Sequence, residues 1–157
     1  MIDSKRRILL KSSLAAGSVG VAIGAGLLSP RLVLAAWNEA AFTAKDVPSA
    51  LSSLLGGDAT ESSDAIQIKA PDIAENGAVV PVTVETSLEG VKSIAIIASG
   101  NATPLVASFD LGEATLPFVS TRIKMGKTAD VVAVVQTGDK LLSNAKNVKV
   151  TIGGCGG

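Results

Sequence analysis

The one cysteine of this 157-residue chain, Cys155, is third from the end, with Gly153 and Gly154 before it and Gly156 and Gly157 after it. A thiol there can act as a nucleophile, exchange disulfides or ligate a metal. A catalytic thiol needs a rigid support and a base oriented beside it. The arm contains no base, and the whole chain has neither histidine nor tyrosine. Ser-His-Asp and Cys-His nucleophile pairs, His-bearing zinc sites and His-ligated haem are therefore excluded. One cysteine closes no internal disulfide and builds no four-cysteine or CxxC site. The reading is a chain with no catalytic residue, no metal site and no cofactor, whose chemistry rests on a single sulfur.

Glycine lacks a Cβ, samples both signs of φ and orders only at an entropic cost. Four glycines around Cys155 thus predict a flexible arm rather than a fixed active site. With Ile152 anchored, the three residues to Cys155 span at most ~10 Å, enough to place a thiol in another protein's pocket. An unperturbed cysteine is only ~3% thiolate at neutral pH, and the nearby terminal carboxylate disfavours ionisation further. The thiol therefore reads as a passive handle, activated by whichever enzyme receives it. The plainer reading is an incidental thiol on a frayed terminus. A prenylation box is excluded, because only two residues follow the cysteine.

The elements that must hold this arm begin with a helical pattern from Trp37 to Leu55. Asp46 can cap, Pro48 suits a first turn, Leu51, Leu54 and Leu55 share a face, and Gly56-Gly57 stops the helix. Residues 36–64 thus form a helical lead-in and loop, after which the period changes to alternation. Strands are expected at Ala65–Lys69, Val79–Thr86, Val91–Ala98, Leu105–Leu111, Phe118–Met125, Val131–Thr137 and Val148–Ile152. Seven short strands between turn signals predict an all-β fold over 65–152, an immunoglobulin-like antiparallel β-sandwich with a short N-terminal helix and a C-terminal arm at 153–157. Val80, Val82 and Val84 point inward, as do Val148, Val150 and Ile152. Val131 to Val135 is apolar on both faces, as a central or partner-covered strand would be, and with its neighbouring strand is the expected partner interface. Met125 and the three phenylalanines are assigned to the core. Arg122, Lys124 and Lys127 read first as a solvated strand face, and second as a guide for an anionic adduct or an acidic partner surface.

The first 35 residues read as an address. Arg6-Arg7 followed by Ile8-Leu9-Leu10-Lys11 matches the twin-arginine (Tat) export pattern, and the uncharged stretch from Ser12 to Pro30 is diluted by glycine and serine. Cleavage is expected after Ala35 or Ala36, an uncleaved membrane anchor being the alternative. The expected location is periplasmic, with no membrane contact after cleavage. The zero net charge is produced by the leader: without residues 1–35 the chain keeps 9 basic and 13 acidic groups, a net of −4. That sign argues against nucleic acid as a partner. A route that carries folded proteins, without a visible cofactor motif, points to a partner aboard.

The terminal run Val148-Lys149-Val150-Thr151-Ile152-Gly153-Gly154-Cys155-Gly156-Gly157 resembles the C-terminus of the SoxY family, sulfur carriers of bacterial thiosulfate oxidation. The resemblance extends through Ala74 to Val82, Val91 to Ile94, Pro104 to Phe109 and Ser120 to Met125. It departs at Ser99-Gly100-Asn101-Ala102-Thr103, where the family pattern has Lys-Asn-Pro. The resemblance implies a non-enzymatic covalent carrier that pairs with a SoxZ-like subunit as a heterodimer. It implies that a Sox cytochrome complex joins thiosulfate to Cys155. A thiosulfohydrolase then releases sulfate, and a sulfane dehydrogenase oxidises the sulfur that remains. The alternative is an exported immunoglobulin-like binding or assembly module whose cysteine forms an intermolecular disulfide. A ubiquitin-like sulfur carrier, activated at a terminal Gly-Gly, requires cytoplasmic ATP and conflicts with the leader.

Overall fold

A computed structural model describes residues 38–138 and 140–151. Among these, nine strands form two sheets, and two short helices precede them. Helix α1 spans Glu39–Thr43 and α2 spans Val47–Leu55. The strands are β1 (Glu61–Ser62), β2 (Ile66–Lys69), β3 (Ile73–Ala74), β4 (Val80–Thr86), β5 (Val91–Ala98), β6 (Leu105–Asp110), β7 (Phe118–Ile123), β8 (Ala129–Thr137) and β9 (Lys140–Val150). The larger sheet runs β1-β9-β8-β5-β6, with β3 also on β9, and the smaller runs β2-β4-β7. Pairing is antiparallel except where β1 and β3 lie parallel to β9.

Strict alternation builds the core between the sheets. Val80, Val82 and Val84 of β4 are fully buried against Ile94 and Ile96 of β5, Val131, Ala133 and Val135 of β8, and Val148 of β9. Each such valine or isoleucine side chain, removed from water, contributes about 1.5–3 kcal/mol before the entropy of ordering it. The opposite phase of the same strands is apolar too. Ala95 and Ile97 of β5, Leu105 of β6 and Val134 of β8 pack beneath Ala41, Ala50 and Leu51 of the helices. The described residues are thus layered as helix pair, large sheet and small sheet.

This corrects the expected partner interface. Val131 to Val135 is apolar on both faces because the chain's own helices cover the second face, with Val132 partly buried there and Val134 almost fully.

The helical segment is two helices. Asn38 caps α1, its side chain accepting from the Ala41 amide at 3.1 Å, and its Nδ2 donates to the Ser53 carbonyl at 2.7 Å, tying α1 to α2. Asp46 caps α2 by accepting from the Ser49 amide (2.8 Å) and hydroxyl (2.9 Å). Those bonds, the backbone one first, lower the carboxyl pKa below its ordinary 3.8. Gly56 ends α2 at φ +77°, a left-handed conformation that favours glycine.

The last strand is longer than its alternation implies, starting at Lys140 rather than Val148. It continues from β8 through a hairpin in which Thr137 pairs with Lys140 and Gly138 takes φ +56°. Phe118 also departs from expectation. Paired with Glu85 on the outward face of the small sheet, it is 53% exposed, while its neighbour Val119 turns inward. Met125 is buried, and Phe42 and Phe109 are partly so.

Candidate functional site

Cys155, Gly153, Gly154, Gly156 and Gly157 lie outside the described residues, as do Ile152 and residues 1–37, which include the expected leader. The structure describes the base from which the arm departs, up to Thr151. Every one of the last three described amides is bonded. Lys149 donates to the carbonyl of Asp72, just before β3, at 3.0 Å, and Thr151 to that of Ala74, within β3, at 3.1 Å. Between them, the Val150 amide points the other way and donates to the Thr128 hydroxyl at 2.9 Å. Two neighbouring segments therefore grip the end of β9 from opposite sides. A strand this short would form β3 only by pairing, which is why Ile73–Ala74 carries no strand signal of its own.

Beneath the end of β9 lies the turn at Glu75-Asn76-Gly77. The Asn76 side chain accepts from the Ala78 amide at 2.9 Å, the local bond that favours asparagine in turns. The Gly77 carbonyl then accepts from the Met125 amide at 2.7 Å. A Cβ on Gly77 would press on the Met125 carbonyl oxygen and lie 2.7 Å from Val150 Cγ1. Glycine is needed here for close approach, not for its backbone freedom. The sequence marks this residue as a turn only; its role as the seat of the arm's base depends on contacts from residues 48 and 73 positions away.

Beside the base, a shallow recess opens between the 100–103 loop and Lys124, Gly126 and Lys127. Asn101 holds its walls together, donating to the Lys124 carbonyl at 2.7 Å and accepting from the Gly126 amide at 2.9 Å. Ser99 and Asp130 lock the loop to β8 by reciprocal bonds of 3.0 to 3.2 Å. Lys124 and Lys127 meet at this recess; Arg122 does not, standing on the exposed face of the small sheet opposite Pro81. Among the described residues, no three Asp, Glu, His or Cys side chains gather into a set that could hold a metal ion.

Layered sheets, with a last described strand held on both sides, define an immunoglobulin-like domain. The chain belongs to the SoxY family: the family model described as sulfur oxidation protein SoxY matches residues 51–155. Among solved structures, the sulfur carrier protein SoxY from Chlorobium limicola f thiosulfatophilum is similar, with 50% identity and a TM-score of 0.60 over 66% of this chain and 94% of that one. A superoxide reductase (neelaredoxin) from Ignicoccus hospitalis shares the fold alone, at 14% identity and a TM-score of 0.52 over 59% of this chain and 95% of that one. A comparison with curated proteins finds no match.

Proposed function

We propose that this chain is a periplasmic sulfur carrier of thiosulfate oxidation that holds its cargo covalently on Cys155 and performs no catalysis itself. The observation that carries this reading is the family match, which runs to residue 155 and so includes the sulfur-bearing position. In the loading step, Cys155–SH and thiosulfate form a new S–S bond, giving Cys155–S–S–SO3⁻. One proton is released and two electrons pass to a cytochrome partner. Hydrolysis by a thiosulfohydrolase then cleaves the S–SO3 bond, leaves sulfate and retains a persulfide on Cys155. A sulfane dehydrogenase oxidises that remaining sulfur, and a SoxZ-like subunit accompanies the carrier as a heterodimer.

The four glycines suit this work because their missing side chains keep the arm thin enough for a narrow active-site channel. The fixed base suits it equally: a cargo swung from Thr151 has a defined origin and a bounded reach. The absence of histidine from the chain leaves activation of the thiol to the receiving enzyme. Export by the twin-arginine route accounts for the leader at 1–35 and for carriage of a folded pair. A Cys155→Ser chain in a reconstituted thiosulfate-oxidising system tests the proposal. Loss of thiosulfate-dependent electron transfer is expected, and retention of it would defeat the reading. Recovery of only unmodified thiol and disulfide-linked dimer would instead favour an assembly module.

A further inference from the structure

The recess beside the arm's base carries charge that the fold does not use. Lys124 and Lys127 are both exposed, and neither forms an ion pair among the described residues; the two pairs found there are Lys69–Glu85 and Lys146–Asp72. No acidic residue lines the recess. Asp130, next to its wall, is engaged by the Asn147 amide at 2.7 Å. Glu75 lies across the base, where its carbonyl accepts from the Thr151 hydroxyl at 3.5 Å. A concave spot with two cations, on a chain that carries a net of −4 beyond residue 35, is a local reversal of sign suited to an anion.

The walls are built rather than incidental. Asn101 spans Lys124 and Gly126, and Gly100 sits so close to β8 that a Cβ there would lie 2.6 Å from the Ala129 Cβ and 3.1 Å from the Lys127 stem. The recess is also contiguous with the base of the arm, since Lys127 precedes Thr128, the residue whose hydroxyl receives the Val150 amide. Cys155 is the fourth residue after Thr151, a span of at most about 14 Å. A cargo on the cysteine sulfur extends that reach.

We infer that this recess is the docking site of the chain's own C-terminal arm when Cys155 bears a sulfonate-terminated adduct, with Lys124 and Lys127 meeting the –SO3⁻ group. This rests on Cys155 as the carrying residue, and it adds a resting place selected by the charge of the cargo. A free thiol or an uncharged adduct lacks the sulfonate's attraction to the two lysines and is held less. Two exposed charge contacts favour the docked arm by roughly five- to tenfold.

The test uses the isotope-labelled full chain and two chemically installed adducts, each verified by mass. Tetrathionate supplies the first: the Cys155 thiolate attacks an inner sulfur, forms Cys155–S–S–SO3⁻ and expels thiosulfate with the electron pair of the broken S–S bond. Methyl methanethiosulfonate supplies the uncharged control, Cys155–S–S–CH3, with methanesulfinate leaving. The sulfonate adduct is expected to shift the backbone amide resonances of Asn101, Gly126 and Lys127, and the methyl adduct to leave them in place. About 0.5 M salt, which screens over a few ångströms, should reverse the shifts. Lys124→Gln with Lys127→Gln should abolish them, while Lys92→Gln, whose ammonium bonds the Gly138 carbonyl away from the recess, should preserve them. Equal shifts with the methyl adduct, no shifts at the recess, or full shifts in the double variant would each overturn the inference. Because a reagent installs the cargo, failure to dock leaves the carrier reading intact, and failure of enzymatic loading leaves this result interpretable.

Discussion

Gly77→Ala is the substitution that most directly probes how the base of the arm is held. The added methyl would press on the Met125 carbonyl oxygen and lie 2.7 Å from Val150 Cγ1, where carbon atoms prefer about 3.5–4.0 Å. Neither neighbour yields easily. The Met125 carbonyl belongs to a backbone already tied to Gly77 by the 2.7 Å amide bond, and Val150 is β-branched with a stiff χ1. Relief therefore requires the 75–77 turn, the 124–126 segment or the end of β9 to move. Overpacking of this kind costs about 1–3 kcal/mol. The urea midpoint should fall accordingly with the m-value unchanged. If the strain is relieved at β9, amide exchange at Val150 and Thr151 should accelerate roughly five- to hundredfold, while exchange in β5 follows only the global change. Gly112→Ala is the control: its nearest neighbour, Thr115 Oγ1, is 3.5 Å away, so stability should stay within ~0.5 kcal/mol. A Gly77→Ala chain as stable as the wild type, with unchanged exchange at Val150, would refute the reasoning.

Other consequences can be checked by the same methods. Leu51 is 3% exposed and sits at the centre of the contact between the helices and the large sheet; Leu51→Ala should cost about 2–5 kcal/mol in urea unfolding. The Asp46 carboxylate caps α2 more strongly when ionised, and its folded pKa is below the ordinary 3.8. Its contribution is accordingly present above that value and lost as pH falls through the lower folded value. Comparing the pH dependence of unfolding in wild type and Asp46→Ala between about pH 2 and 6 should show the two curves converging at the acid end.

Several elements were legible in the sequence because each expressed one physical rule without interference. Val80, Val82 and Val84 alternate cleanly since β4 faces the core on one side and solvent on the other, and Asp46, Pro48 and Gly56 mark the bounds of α2. Where two demands overlapped, the pattern misled. β5 and β8 lie between two layers, so their second apolar face suggested an external partner although the covering helices belong to the same chain. The start of β9 was hidden because its polar residues have inter-segment work: Ser143 donates to the Thr60 hydroxyl at 2.9 Å, and Asn144 to the Ile66 carbonyl at 2.6 Å. The candidate site divides in the same way. Cys155 was conspicuous from composition and position, whereas Gly77, Thr128 and Thr151 acquire their roles only from neighbours distant in sequence. Lys124 and Lys127 were visible as charges close together in the chain, but the concavity they share depends on Asn101 crossing from another loop.

The central claim is that Cys155 carries sulfur covalently. Intact mass spectrometry of the chain, after incubation with thiosulfate and its cytochrome partner and followed by mapping of the terminal peptide, tests it most directly. The expected result is the mass of one thiosulfate-derived unit on the peptide containing Cys155, removed by reductant and absent from Cys155→Ser. Turnover of thiosulfate with that peptide unmodified throughout, or with the adduct on no residue of this chain, would contradict it.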